Sequence, residues 1–114
     1  MTVIIQHLDC YQGATFAGVF TWEDSAGDVI SVAGLTAKMS GKYDYASTAI
    51  ISLTTENSRI TLGGAAGTIT LNISATDTAA LTAGVYVYDL KLIGASETVR
   101  IAQGTFTVWP QAST

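Results

Sequence analysis

Apolar and polar residues alternate along most of this chain. Over residues 68–73, Ile69, Leu71 and Ile73 fall on one side and Thr68, Thr70 and Asn72 on the other, the pattern of a strand with one buried face. Residues 16–22 repeat it with Phe16, Phe20 and Trp22 on a common face, interrupted at Gly18, where a glycine marks a bulge or a close neighbour. The polar run 23–28 then reads as a hairpin turn into residues 29–32. Leu35, Ala37 and Met39 point inward with Thr36, Lys38 and Ser40 outward, and residues 41–48 read as a loop or strand end carrying Tyr43 and Tyr45. Short strands follow at 50–53 and 58–62, separated by the turn 54–57, and the glycine-rich run 63–67 breaks the chain before the strand at 68–73.

The single helical signal is short. Ser74 or Thr76 can cap it, Asp77 sits in its first turn where the helix dipole favours an acid, and Gly84 stops it. We place this turn near residues 76–81. A long strand comes next, with Tyr86, Tyr88, Leu90 and Leu92 sharing a face, then a hairpin turn at 94–97 and a last strand at 98–109. In that last strand Val99 and Ile101 point inward, yet Phe106 and Val108 are out of phase with them. One extra residue has to be absorbed, and the pattern assigns a β-bulge around Gln103 and Gly104. Pro110 ends pairing, leaving a polar tail at 111–114.

Leu81, Gly84 and Tyr86 have the spacing with which immunoglobulin-like sandwiches turn from one sheet into the other, a tyrosine hydrogen-bonding back to the corner before it. Tyr86 is a candidate for that role or an ordinary strand aromatic. In either case the segment implies a crossover between sheets. The fold class is therefore all-β: an immunoglobulin-like antiparallel β-sandwich of seven to nine strands, one domain over residues 1–110 with an N-terminal arm.

Composition narrows the function. The chain has 114 residues, 48% apolar and only 12% charged, about half the globular average of ~25%. One domain fits this length. Five basic residues against nine acidic ones argue against a nucleic-acid platform or a polybasic membrane patch. The positive mean hydropathy, +0.37, comes from scattered Ala, Val and Ile, and no run approaches the roughly 20 apolar residues of a membrane span. The first residues have neither the basic start nor the long apolar core of a signal peptide. Cys10 has no partner for a disulfide within the chain, and reads as a small buried apolar side chain.

No reactive set assembles from these residues. His7 is the sole histidine, so no imidazole pair exists for a metal, and three positions along one strand place it on the opposite face from Cys10. Glu23, Asp24 and Asp28 lack the ligand order of a calcium loop and read as a solvated turn. Residues 63–67 lack the Lys-Ser/Thr of a phosphate loop. Asp89 and Lys91 read as a polar rim on their strand. We expect no cofactor and no metal. Association is the remaining function class, with interface candidates Val3, Ile4 and Ile5 in the arm, Tyr43 and Tyr45 in the central loop, and Trp109 near the C-terminus, because interfaces favour Tyr and Trp. The segment 3–8 could also add as a strand to a neighbour's sheet edge.

The runs 21–28, 32–39, 67–71, 75–81, 84–90 and 100–108 together resemble small proteins of tailed bacteriophages. They are similar in plan to the N-terminal module of phage baseplate upper proteins, an immunoglobulin-like sandwich that docks a receptor-binding device onto the virion. The resemblance covers residues 8–110, and no coiled coil, linker or receptor-binding head follows in this sequence. It implies a non-enzymatic virion protein, an adaptor of tail or baseplate or a capsid decoration protein. Its partners would be other virion proteins and copies of itself. The alternative is a carbohydrate-binding sandwich using Tyr43, Tyr45 or Trp22 as a stacking platform.

Overall fold

A computed structural model of the chain describes residues 3–24 and 26–112. Met1, Thr2, Ser25 and the last two residues of the expected tail lie outside these. Among the described residues nine strands form two sheets: β1 (Ile4–Ile5), β2 (Leu8–Tyr11), β3 (Phe16–Thr21), β4 (Thr36–Lys42), β5 (Ala49–Thr54), β6 (Ile60–Leu62), β7 (Thr68–Ile73), β8 (Gly84–Ile93) and β9 (Thr98–Trp109), with a 3-10 turn at Gly64–Ala66 and one short helix α1 (Ala75–Ala79). The larger sheet runs β1-β9-β8-β4-β5, with β2 continuing β1 along β9, and the smaller runs β3-β7-β6. The expected helical turn is present one residue earlier than placed, capped by Ser74, whose hydroxyl accepts from the Asp77 amide. It stops at Ala79, well before Gly84, which instead opens β8.

Alternation maps directly onto burial. Ile69, Leu71 and Ile73 from β7 meet Tyr86, Tyr88, Leu90 and Leu92 from β8, all within 1% of complete burial, with Met39, Leu53 and Phe106 beside them. Phe16 stands edge-on to Phe106 across the two layers, ring centroids 5.6 Å apart, a favoured aromatic geometry. Gly18 makes no bulge, since β3 stays in register with β7 throughout. Residues 29–32 form no strand beyond a single bridge from Val29 to Glu23.

The bulge in the last strand exists, but two residues earlier than the pattern assigned. Leu90 pairs with Ala102 and Lys91 with Arg100, so Ile101 is the extra residue. Both Ile101 and Ala102 are buried, because the bulge turns two consecutive side chains toward the core. Alternation located the phase change only between Ile101 and Phe106; Ala102, small enough to be buried or exposed, hid its place.

Two strands depart from a purely antiparallel sandwich. Both β1 and β2 pair parallel to β9, Ile4 opposite Ala102 and Leu8 opposite Phe106. The expected N-terminal arm is thus partly consumed by its own sheet, with the outer side of β1 and β2 left as an edge. At the break between them Tyr88 Oη donates to the Gln6 carbonyl at 2.6 Å. Gly104, opposite Tyr88, lets that backbone approach, since a Cβ there would lie 2.4 Å from the Gln6 oxygen.

The strands β5 and β6, adjacent in sequence, belong to different sheets. The turn 54–59 is therefore a sheet-to-sheet passage, held by the Asn57 side chain, whose Oδ1 accepts from the Thr54 and Arg59 amides. At the start of β8 Tyr86 Oη donates to the Thr82 carbonyl at 2.6 Å. This resolves Tyr86 as the corner tyrosine. Thr78, fully buried, ties the helix to the loop after β2 by donating to the Ala14 carbonyl and accepting from the Gly13 amide.

Candidate functional site

The chemistry that sequence left open stays dispersed. Cys10 is fully buried, and burial pushes its thiol up to about 11, the reverse of what a nucleophile needs. His7 is exposed at the break between β1 and β2, where its Nδ1 accepts from the Thr105 amide at 3.1 Å. Among the described residues, no three His, Cys, Asp or Glu side chains gather as a metal site. Asp24 closes its turn instead, its Oδ1 accepting from the Ala26 and Asp28 amides.

The interface candidates divide. Val3 and Ile4 are half-buried, and Ile4 packs against the core. Tyr43 is exposed over much of its surface but lies on Tyr86, ring centroids 4.9 Å apart. Ile5, Tyr45 and Trp109 are brought onto the outer face of the larger sheet: Ile5 opposite Gln103, Trp109 opposite Tyr11, and Tyr45 at the rim of a hollow. Trp109 is held there by its indole N–H, which donates to Asp9 at 3.0 Å.

That hollow, about 330 Å³, is the feature the sequence reading missed. Its lining includes Lys38, Lys42, Lys91, Arg100, Asp89 and Tyr45. Four of the five basic residues of an acidic protein therefore lie around one concavity. Strand register places them: Lys38 is directly opposite Lys91 on β8, and Lys91 directly opposite Arg100 on β9. Asp89 and Lys91 are not at a rim, as expected, but on the outer face of a strand flanked on both sides. Asp89 pairs with Arg100 at 3.1 Å, while Lys38, Lys42 and Lys91 have no ion-pair partner among the described residues. Like charges directly opposite each other cost stability, so this row is not there to hold the sheet together. Alternation carried a signal for it, since Lys38 and Lys42 share a face of β4 and Asp89 and Lys91 share one of β8. What sequence lacked was the β4–β8 register.

A second hollow lies between β5 and α1, crossed by Arg59, which donates to the Ser52 carbonyl and pairs with Asp77 at 2.8 Å. Its two charged residues neutralise each other, with Asp77 held below the usual carboxylate range by the hydrogen bond from Arg59.

Comparison with solved structures fits this geometry. A VGSC beta subunit, from work on multimeric cell-adhesive interactions, superposes with a TM-score of 0.51 at 14% identity, over 92% of each chain. The sandwich is immunoglobulin-like. A family 123 glycoside hydrolase from Clostridium perfringens also matches, with a TM-score of 0.43 and 11% identity, the whole chain aligning to 24% of that enzyme. No family model and no curated protein matches the sequence. The immunoglobulin-like sandwich departs from antibody domains in its centre: no disulfide links the sheets, and neither tryptophan is fully buried between them. No helix among the described residues is long and apolar enough to cross a membrane.

Proposed function

We propose that this chain is a non-enzymatic structural protein of a tailed-phage virion, present in many copies. It serves as an adaptor or attachment component of tail or baseplate, or as a capsid decoration protein. The reading rests on the resemblance of residues 8–110 to phage baseplate modules. The observation that carries the association half of it is the outer face of the larger sheet. There Ile5, Tyr11, Val85 and Trp109, each between 47% and 62% exposed, flank the basic hollow. Exposed aromatics beside an arginine on a rigid sheet are the composition of a contact surface. Mass spectrometry of purified particles tests the reading: the chain is expected in stoichiometric amounts with other virion proteins, and its absence from particles overturns it.

The carbohydrate-binding reading is favoured by one observation, Tyr45 at the rim of the hollow with polar groups beneath it. Glycan-array binding abolished by Tyr45→Ala would select it over the virion reading.

A further inference from the structure

The cation row on the larger sheet has a counterpart at the end of the same molecule. The loop 22–35, the turn 63–67 and the hairpin 94–97 meet there, through the Trp22 amide on the Gly67 carbonyl, the Val32 amide on the Gly64 carbonyl and the approach of Leu35 to Gly94. This end carries Glu23, Asp24, Asp28 and Glu97, all exposed and none in an ion pair among the described residues, and no basic residue. Around the hollow the balance is reversed, four cations against the single carboxylate Asp89. Everywhere else the chain has Arg59 alone against eight carboxylates. A protein that arranged charge only for solubility would intersperse the signs. This one gathers four of its five cations around one hollow and accepts repulsion along Lys38, Lys91 and Arg100 to do so.

We propose that the basic hollow receives the acidic loop end of a second copy of this chain. The two surfaces are different patches of one molecule, so the contact is heterologous, and repeating it generates a ring or a filament. Asp24 makes the acidic end fit for this, because its two hydrogen bonds from the Ala26 and Asp28 amides fix the turn that presents Glu23 and Asp28. The apolar residues Ile5, Val85 and Trp109 on the same sheet face continue the contact beyond the charged row. Opposite charge supplies orientation and encounter rate rather than most of the affinity. The inference rests on the multi-copy reading above for its expectation that copies meet.

Sedimentation velocity of the full chain over a concentration series, at low and high salt, tests it. Self-association is expected at low salt and is expected to weaken as added salt screens the charges. Lys38→Glu/Lys91→Glu and, separately, Glu23→Lys/Asp28→Lys are each expected to weaken association about tenfold or more, and an equimolar mixture of the two is expected to restore a complex. Lys38→Gln/Lys91→Gln repeats the first arm should the reversed pair fail to fold. A wild-type chain that stays monomeric at low salt, variants that associate as it does, or a mixture that fails to recover would each overturn the contact. So would a monomer whose hollow binds a sulfated saccharide. A chain monomeric in solution yet present in particles removes this contact and leaves the virion reading standing.

Discussion

On the outer face of the three-stranded sheet, Val19 stands opposite Thr70, and Thr61 flanks Thr70 from the other side. On the outer face of the six-stranded sheet, Lys38 stands opposite Lys91, and Lys91 opposite Arg100. Both faces are built from the same period-two alternation, and the inner faces are alike: Leu71 and Leu90 are both fully buried. The first outer face follows what a solvated strand favours, β-branched residues and no charge. The second opposes it. Fold requirements account for the first face and not for the row of cations on the second.

The inner faces are expected to be energetically equivalent while the outer faces are not. The largest effects test the first half. Leu71→Ala and Leu90→Ala are each expected to cost about 2–5 kcal/mol, the range for a fully buried leucine that leaves a cavity. Urea unfolding of both variants measures this. A loss at one site several-fold smaller than at the other would mean that the two layers do not share one core.

The larger sheet alone holds buried tyrosines, which gives it a pH dependence that the smaller one lacks. Burial raises the Tyr88 phenol from an ordinary value near 10 to about 12. The folded state therefore keeps a proton that the unfolded state loses. The Tyr88 contribution is intact below about pH 10 and is lost as pH rises toward 12, by roughly 2–3 kcal/mol at 1.36 kcal/mol per unit. Thermal melts across this range are expected to show a steep alkaline decline. Tyr88→Phe should flatten it, at the cost of about 1 kcal/mol at neutral pH for the lost hydrogen bond to Gln6. An unchanged slope would show that Tyr88 ionises freely in the fold.

Much of this was visible in the sequence because burial follows alternation wherever a strand has one wet face. The inner residues of β7, β8 and the first half of β4 were all legible for that reason, and so was the existence of an extra residue in β9. Its position was not, since Ala102 carries little hydrophobic signal. The parallel pairing of β1 and β2 was also hidden: it depends on Gly104 admitting the Gln6 backbone and on Tyr88 reaching across, contacts more than 80 residues apart in sequence. The basic hollow was hidden for a related reason. Each strand showed which of its residues point outward, but a charged row exists only once three strands are set in register.

The outer faces are tested by smaller effects. Lys91 lies between two cations, so Lys91→Thr removes both like-charge oppositions and supplies a better strand former. It is expected to stabilise the fold by about 0.2–1 kcal/mol at low salt, with the gain shrinking as salt screens the wild type's repulsion. Chemical denaturation at two salt concentrations reads this directly. A destabilised variant would mean that Lys91 supports the sheet, and the contrast between the two faces would disappear.

The smallest effect has the opposite response to salt. Arg59, at the passage between the sheets, and Asp77, in α1, are an attractive pair on a surface otherwise acidic, 2.8 Å apart and partly exposed. The hydrogen bond from Arg59 holds the Asp77 carboxyl below its usual range, assisted by the charge of Arg59 and a bond to Ser74. With the folded value depressed, the stabilisation is present above the unfolded value near 3.9 and is lost as pH falls through the folded one. Exposure keeps the effect slight. Asp77→Asn is expected to flatten the acid limb of the stability profile below about pH 4 without altering its alkaline limb. Added salt should weaken this pair while relieving the row at Lys38, Lys91 and Arg100, so wild-type stability is expected to respond little to salt as the two cancel. Asp77→Asn should expose the stabilising response of the cation row, and Lys91→Thr the destabilising response of the ion pair. Identical salt responses in the two variants would mean that neither charge cluster acts on stability, and the larger sheet's outer face would then be no more strained than the smaller one's.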